Sequence, residues 1–296
     1  MSRTVLAILN QPSSNAPAHE PDASAFALAD PALPQLSVLD LAATRGDGIF
    51  ETIGIAGGTA HAVDAHLRRF AASAAMLDLP APDLDAWRSA IEAVISELDP
   101  VPEGYVKAVL TRGIEGDPRP TGWVYAAPGP DHSDARERGV RVVTLDRGYR
   151  HDVERTSPWL LAGAKTLSYA VNRAVLREAA RRGADDVIFV SSDGFVLEGP
   201  TSSVVFRRGN ALGTPGTGLG ILEGTTQGDI FAWASGQGMQ TGFELLTPAQ
   251  LRQTDAAWLV SSGRAAAPIR ELDGVPHPVD TALSAKINRY LLSRPQ

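Results

Sequence analysis

In Gly46-Asp47-Gly48-Ile49-Phe50-Glu51-Thr52-Ile53-Gly54-Ile55 the residues from 48 onward read as a strand that turns at Gly57-Gly58 and returns from Thr59 to Val63. β-branched and aromatic residues on both sides of a Gly-Gly pair are a hairpin signal. Asp64 can then cap a helix running to about Leu77, because Leu67, Phe70, Ala71 and Ala74 recur at i, i+3, i+4 and i+7. A second helix fits 83–98, with Trp87, Ile91, Val94 and Ile95 on one face, and strands fit 104–112 and 122–127. Upstream, residues 10–34 are rich in Pro, Ala, Ser and Asp and read as a loosely ordered lead-in. Downstream, the Pro-, Gly- and polar-rich run Pro128–Gly139 is the best linker in the chain. Beyond it a strand fits 140–145, a helix 167–182 and a strand 185–191. An Asp193-Gly194 turn leads to a return strand at 195–198 and a further strand at 202–207. A helix starts near Thr225 or Thr226, a strand covers 256–261, and a last helix covers 280–292. Strands and helices mix without strict βαβ alternation, so the class is α+β. The expected division is a small N-terminal domain over 1–131, a linker over 132–138 and a larger C-terminal domain over 139–296.

Composition narrows the function. The 296 residues suit about two domains, and 44% hydrophobic with 21% charged residues is ordinary for a globular chain. The 27 basic and 34 acidic side chains give a net charge of −7, which disfavours nucleic acid as a partner. No run reaches the ~18 apolar residues of a membrane helix. The short apolar run before Asn10 stops too soon for a signal peptide, so the cytoplasm is the expected location. Cys is absent, which removes disulfides, thiolate metal sites and cysteine nucleophiles. The six histidines lack metal-ligand spacing, so no metal is expected. Only three of the 27 basic residues are lysines: Lys107, Lys165 and Lys286. Where arginine is the usual cation, a lysine is a candidate for amine chemistry that a guanidinium cannot perform.

Lys165 ends the apolar segment Trp159-Leu160-Leu161-Ala162-Gly163-Ala164 and opens the expected helix, where desolvation favours a neutral amine. Taken alone, it fits a snorkelling lysine as well. Glu198 closes the hairpin after Phe195-Val196-Leu197, and an acid there needs a partner such as a protonated pyridine nitrogen, or backbone amides. Gly216-Thr217-Gly218-Leu219-Gly220 leads through Gly224 to Thr225 and Thr226, a loop feeding a helix start that can cradle a phosphate or simply cap the helix. It departs from the dinucleotide fingerprint at Ile221. Arg69 lies off the apolar stripe of its helix, and Ser261-Ser262-Gly263 follows the strand Ala257–Val260.

Together these segments resemble the class IV aminotransferases, the fold-type IV enzymes that use pyridoxal 5'-phosphate (PLP). The resemblance runs from about Arg45 to Gly274 and rests on six motifs in order. They are Gly46–Thr52, His66–Phe70, Lys165–Tyr169, Asp193–Ser202, Gly220–Thr226 and Ser261–Gly263 before Pro268. It implies a two-domain fold like that of D-amino-acid aminotransferase, with a small α+β N-terminal domain and a larger pseudo-barrel C-terminal domain. Lys165 is similar to the lysine that condenses with the cofactor aldehyde and shuttles the proton. Glu198 matches the carboxylate that faces the pyridine nitrogen. Arg69, Thr225, Thr226 and Ser262 match the phosphate anchors, and Tyr169 and Ser202 are implied as further cofactor contacts. Members are usually homodimers acting on small molecules.

Within the family, the run Val106–Gly113 resembles the aminodeoxychorismate lyases most, which make p-aminobenzoate for folate biosynthesis. The D-amino-acid group usually has Tyr where this chain has Phe50, and an Arg-x-His carboxylate trap where this chain reads Asp117-Pro118-Arg119-Pro120-Thr121. The branched-chain group usually has Tyr at the position of Arg45. A cation at Arg45 or Arg112 suits a dicarboxylate substrate, so the lyase is the expected activity. D-amino-acid or branched-chain transamination is the alternative, and a non-catalytic binding protein that keeps the fold is the alternative of another class.

Overall fold

The computed structural model describes residues 4–10 and 25–294. They fall into two compact units: the chain up to Pro130 together with Ala164–Tyr169, and Asp131–Gly163 together with Ala170–Arg294. The six residues around Lys165 thus leave the 139–296 span to which the sequence assigns them and make their contacts with the N-terminal unit.

Among the described residues, the first unit holds a six-stranded antiparallel sheet ordered β2-β1-β6-β5-β3-β4. The strands are β1 (Val5–Leu9), β2 (Phe26–Ala29), β3 (Gly48–Ala56), β4 (Thr59–Ala60), β5 (Glu103–Thr111) and β6 (Thr121–Pro128). Helices α1 (Leu41–Arg45), α2 (Val63–Met76) and α3 (Leu84–Ser96) complete it. Strand alternation sends Ile49, Ile53, Val106, Leu110 and Val124 to a buried face, where α2 and α3 contribute Phe70 and Trp87, ring centres 4.7 Å apart. The strand Phe26–Ala29 falls inside the stretch 10–34 read as a loosely ordered lead-in, and Val5–Leu9 precedes that stretch; residues 11–24 lie outside the described residues. Asp64 does not cap α2: the cap is Ala62, at φ 55, and Asp64 sits in the first turn. The two-residue strand β4 ends earlier than the alternation suggests, and the chain enters the helix directly.

In the second unit the described strands form an eight-stranded sheet ordered β11-β10-β9-β12-β13-β7-β8, with β14 on β13. These are β7 (Val140–Asp146), β8 (Asp186–Val190), β9 (Ser203–Arg208), β10 (Ala211–Pro215), β11 (Gln240–Glu244), β12 (Ala256–Ser261), β13 (Ala265–Leu272) and β14 (Val275–Pro276). The helices are α4 (Ser133–Arg138), α5 (Val153–Thr156), α6 (Ala170–Arg181), α7 (Thr225–Gly236), α8 (Pro248–Arg252) and α9 (Thr281–Ser293). The continuous apolar runs of β9 and β12 have a cause: both faces are covered. Val204, Phe206, Ala257 and Leu259 enter one core, while Val205, Ala256, Trp258 and Val260 enter another with α7 and α9.

Three sequence expectations change here. The linker over 132–138 is the helix α4: the Asp131 carboxylate accepts the Ser133 N–H at 2.8 Å, and Ala135 packs on the first of these cores. The return strand at 195–198 is not a regular ladder. Leu197 and Glu198 pair with Phe189, but the Val196 N–H is drawn to the Leu246 carbonyl at 2.8 Å. The helix expected from 167 begins at Ala170, because the residues before it are extended against β3.

Candidate active site

In the first unit, the segment around Lys165 adds a short extended piece beside β3. The Phe50 N–H donates to the Lys165 carbonyl at 3.0 Å, the Leu167 N–H donates to the Gly48 carbonyl at 2.8 Å, and Thr166 bridges Ile49. Gly48 is required by this approach: a Cβ there would stand 2.7 Å from the Leu110 carbonyl oxygen and 2.8 Å from Leu167 Cδ1. The Lys165 N–H donates to the buried Ser73 hydroxyl at 3.1 Å, so main-chain bonds hold this residue on both sides. Its Nζ lies 4.5 Å from the centre of the Phe50 ring, and Tyr169 meets the same ring edge-on at 5.4 Å. Lys107, on β5, approaches the Phe50 ring at 5.7 Å and the Tyr125 ring at 5.8 Å.

Arg69 projects from α2 toward Glu51. Its Nε donates to Glu51 Oε1 at 2.7 Å and its Nη2 to Oε2 at 2.6 Å. Burial on its own would raise the Glu51 pKa, but the Arg69 charge and hydrogen bonds, with help from His66, hold it at about 2. Arg112 does not face the Lys165 segment through a free fork: its Nε bonds Asp47 at 2.7 Å and its Nη2 the Leu77 carbonyl at 2.6 Å. Arg45 is exposed, and its Nη1 donates to the carbonyl of its neighbour Thr44 at 3.3 Å.

The second unit gathers its own set. Thr225 opens α7, and the hydroxyls of Thr225 and Thr226 lie 3.4 and 3.2 Å from the hydroxyl of Ser262, at the end of β12. Three hydroxyls converge at the start of a twelve-residue helix, where its positive dipole end lies. Gly224 admits this start, because a Cβ would fall 2.3 Å from Ser203 Oγ. The Leu222 N–H donates to Glu198 Oε2 at 3.2 Å. Near Glu198, the Tyr149 pKa is raised by burial and further by the Glu198 charge, while Arg147, bonded to its hydroxyl at 3.2 Å, opposes that rise. The Ser202 hydroxyl is buried with no hydrogen-bond partner among the described residues.

The family model for amino-transferase class IV matches residues 48–272. The chain belongs to the class IV aminotransferase family. A curated relative, the bifunctional aminodeoxychorismate lyase / D-amino acid transaminase of Mycobacterium tuberculosis, is 47% identical over 257 residues, covering 82% of this class IV chain and 88% of the relative. The solved structure of the fold IV transaminase CpuTA1 from Curtobacterium pusillum superposes with a TM-score of 0.93 at 52% identity, covering 99% of this chain and 100% of that one. A hypothetical aminotransferase from Mycobacterium tuberculosis in its PLP-bound form superposes at 0.88 with 40% identity, covering 98% and 99%. The fold is therefore fold-type IV, α+β with two sheets, and class IV aminotransferases use PLP.

The residues present fit that cofactor. A hydroxyl cluster at a helix N-terminus suits a phosphate, the Glu198 carboxylate is an acceptor for a ring N–H, and the buried Ser202 hydroxyl, with no hydrogen-bond partner among the described residues, has bonding capacity to spare. Sequence reasoning gave no role to Glu51, His66 or Ser73, and singled out Lys107 only as one of three scarce lysines. Period-two alternation offered a signal for the first, since it places Glu51 between Ile49 and Ile53 on the buried face, where an acid demands a cationic partner. Ser73 had none, because its partner is a main-chain N–H 92 residues away.

Proposed function

We propose that this class IV enzyme is a PLP-dependent aminodeoxychorismate lyase that converts 4-amino-4-deoxychorismate to p-aminobenzoate and pyruvate. The observation that carries the choice is the pair of lysine side chains around one ring: Lys165 Nζ at 4.5 Å and Lys107 Nζ at 5.7 Å from the centre of Phe50. One amine does chemistry on the substrate nitrogen-bearing carbon. The second is a cation for a carboxylate remote from that carbon, a role that Arg112, occupied by Asp47 and Leu77, leaves to it. A dicarboxylate with a single amine has this layout.

When bound, PLP supplies an electron sink for negative charge developing at the substrate carbon. Lys165 Nζ is the general base that takes the proton from that carbon, and its conjugate acid can then protonate the departing enolpyruvate, which leaves as pyruvate. The Glu198 carboxylate holds a proton on the pyridine nitrogen. The hydroxyls of Thr225, Thr226 and Ser262, the N–H groups opening α7 and the Arg69 guanidinium bind the phosphate. Tyr169 and Ser202 complete the cofactor contacts, and Phe50 walls the substrate. Loss of the proton and of the enolpyruvyl group together aromatise the substrate ring, which gives the elimination its direction.

A second reading, D-amino-acid transamination, draws support from the bifunctional name of the Mycobacterium tuberculosis relative. The test assays p-aminobenzoate formation from aminodeoxychorismate beside D-alanine and L-leucine, each with 2-oxoglutarate. p-Aminobenzoate production is expected. Turnover of the amino acids alone would replace the lyase reading with a transaminase. No helix among the described residues is long and apolar enough to cross a membrane, and a cytoplasmic homodimer is proposed with the activity.

A further inference from the structure

Glu51 is an acid on the helix-facing side of β3, only 1% exposed, in a position flanked by the fully buried Ile49 and Ile53. Three hydrogen bonds compensate it: two from Arg69 at 2.7 and 2.6 Å, and one at 2.7 Å from Nδ1 of His66, which is itself wholly buried. The carboxylate accepts only, so His66 carries its proton on Nδ1. Burial pushes the His66 pKa down, against the pull of Glu51, and favours the neutral ring. An apolar trio would pack this core at lower desolvation cost. What the ionic arrangement adds is geometry. A planar guanidinium gripped through Nε and Nη2 by one carboxylate cannot rotate about its own axis, and an anion must meet its other edge.

We propose that Glu51, seated by His66, is a positioning residue that fixes the guanidinium plane of Arg69 for the cofactor phosphate. This rests on the reading of Arg69 as a phosphate anchor. Because the Glu51 charge offsets that of Arg69, the pair acts on a phosphate through direction rather than through net charge. Moving the carboxylate while keeping its charge, as in Glu51→Asp, therefore does the same harm as neutralising it in Glu51→Gln.

The experiment titrates apo-protein with PLP and with pyridoxal, its phosphate-free analogue, and reads the ratio of the two dissociation constants; thermal unfolding of each apo-protein is recorded alongside. Arg69→Ala is expected to abolish most of the preference for PLP. If it does not, the anchor reading fails and takes the positioning role with it. Given that loss, Glu51→Gln and Glu51→Asp are each expected to reduce the preference at least about tenfold, the scale of a charge-assisted hydrogen bond. A wild-type ratio in Glu51→Asp, or a preference raised by Glu51→Gln, overturns the proposal and leaves the anchor intact. Should the Glu51 variants not fold, His66→Phe removes the third bond and keeps both bonds between Arg69 and Glu51. A roughly threefold fall in the same ratio is then expected, and an unchanged ratio overturns the proposal.

Discussion

Lys165 and Phe50 are joined twice: the Phe50 N–H donates to the Lys165 carbonyl at 3.0 Å, and the Lys165 ammonium stands 4.5 Å from the Phe50 ring centre. The backbone bond fixes where the lysine leaves the chain, and the ring limits where its amine can rest. Cation–π contacts of this kind contribute about 0.5–2 kcal/mol. Lys165→Ala is expected to lose the visible absorption of the holo-protein and to lower turnover by at least about a thousandfold, as loss of a covalent nucleophile does. A wild-type protein that stays colourless and cannot be reconstituted with PLP would instead favour the non-catalytic alternative.

Ser73→Ala removes the acceptor of the Lys165 N–H, a bond of 3.1 Å in a part-buried setting. An unsatisfied donor there costs about 1–3 kcal/mol. Denaturant unfolding of the apo-protein should register that loss, and steady-state kinetics should show a fall in kcat larger than any change in KM. Unchanged stability and kcat would mean the hydroxyl does not hold the lysine.

Gly48→Ala puts a methyl group against the Leu110 carbonyl and the Leu167 side chain. Leu167 can shift, but the carbonyl belongs to the central strand β5, so overpacking of about 1–3 kcal/mol is expected. The displaced neighbour lies two residues from Lys165. Thermal unfolding should drop by several degrees and PLP affinity should weaken with it.

Acid should unfold the protein in a way that Glu51 and His66 predict. The Glu51 pKa falls from 4.5 to about 2 on folding, so its stabilisation is complete above pH 4.5 and is lost as pH falls towards 2. The shift corresponds to about 3 kcal/mol. His66 acts in the same direction: its pKa is pushed below 6.5, so below that pH the unfolded chain binds a proton that the native core refuses. Chemical unfolding across pH 7 to 3 should show stability declining in both ranges. Glu51→Gln should flatten the limb below pH 4.5, and an unaltered limb would remove Glu51 as its source.

Thr226→Val keeps the shape of a residue 3% exposed while removing one hydroxyl of the cluster with Ser262. Equilibrium titration should give a PLP dissociation constant raised about tenfold, with binding of pyridoxal unchanged. Equal weakening for both ligands would argue for general loosening of α7 rather than a lost phosphate contact.

Much of this was legible in local patterns. The apolar stripe of α2, the Gly57-Gly58 turn and the Thr pair at the start of α7 follow from spacing within a few residues. The errors share a cause. Asp64 has the right chemistry for a cap, but Ala62 takes the position because β4 ends early. The run over 132–138 has linker composition, yet it folds as α4 once β13 offers it a surface. Local periodicity extends the helix back to 167, but residues 165–167 find main-chain partners on β3 first.

The sequence by itself determined the family and the α+β class and singled out Lys165 as the candidate amine, because ordered motifs and a scarcity of lysine are properties of the chain read end to end. Only the tertiary structure decided that Lys165 packs with the N-terminal unit, that Arg69 is clasped by Glu51 and His66, and that Arg112 is engaged by Asp47. Those are contacts between residues distant along the chain. They are fixed by which polar groups burial forces to pair, and local spacing carries no record of that choice.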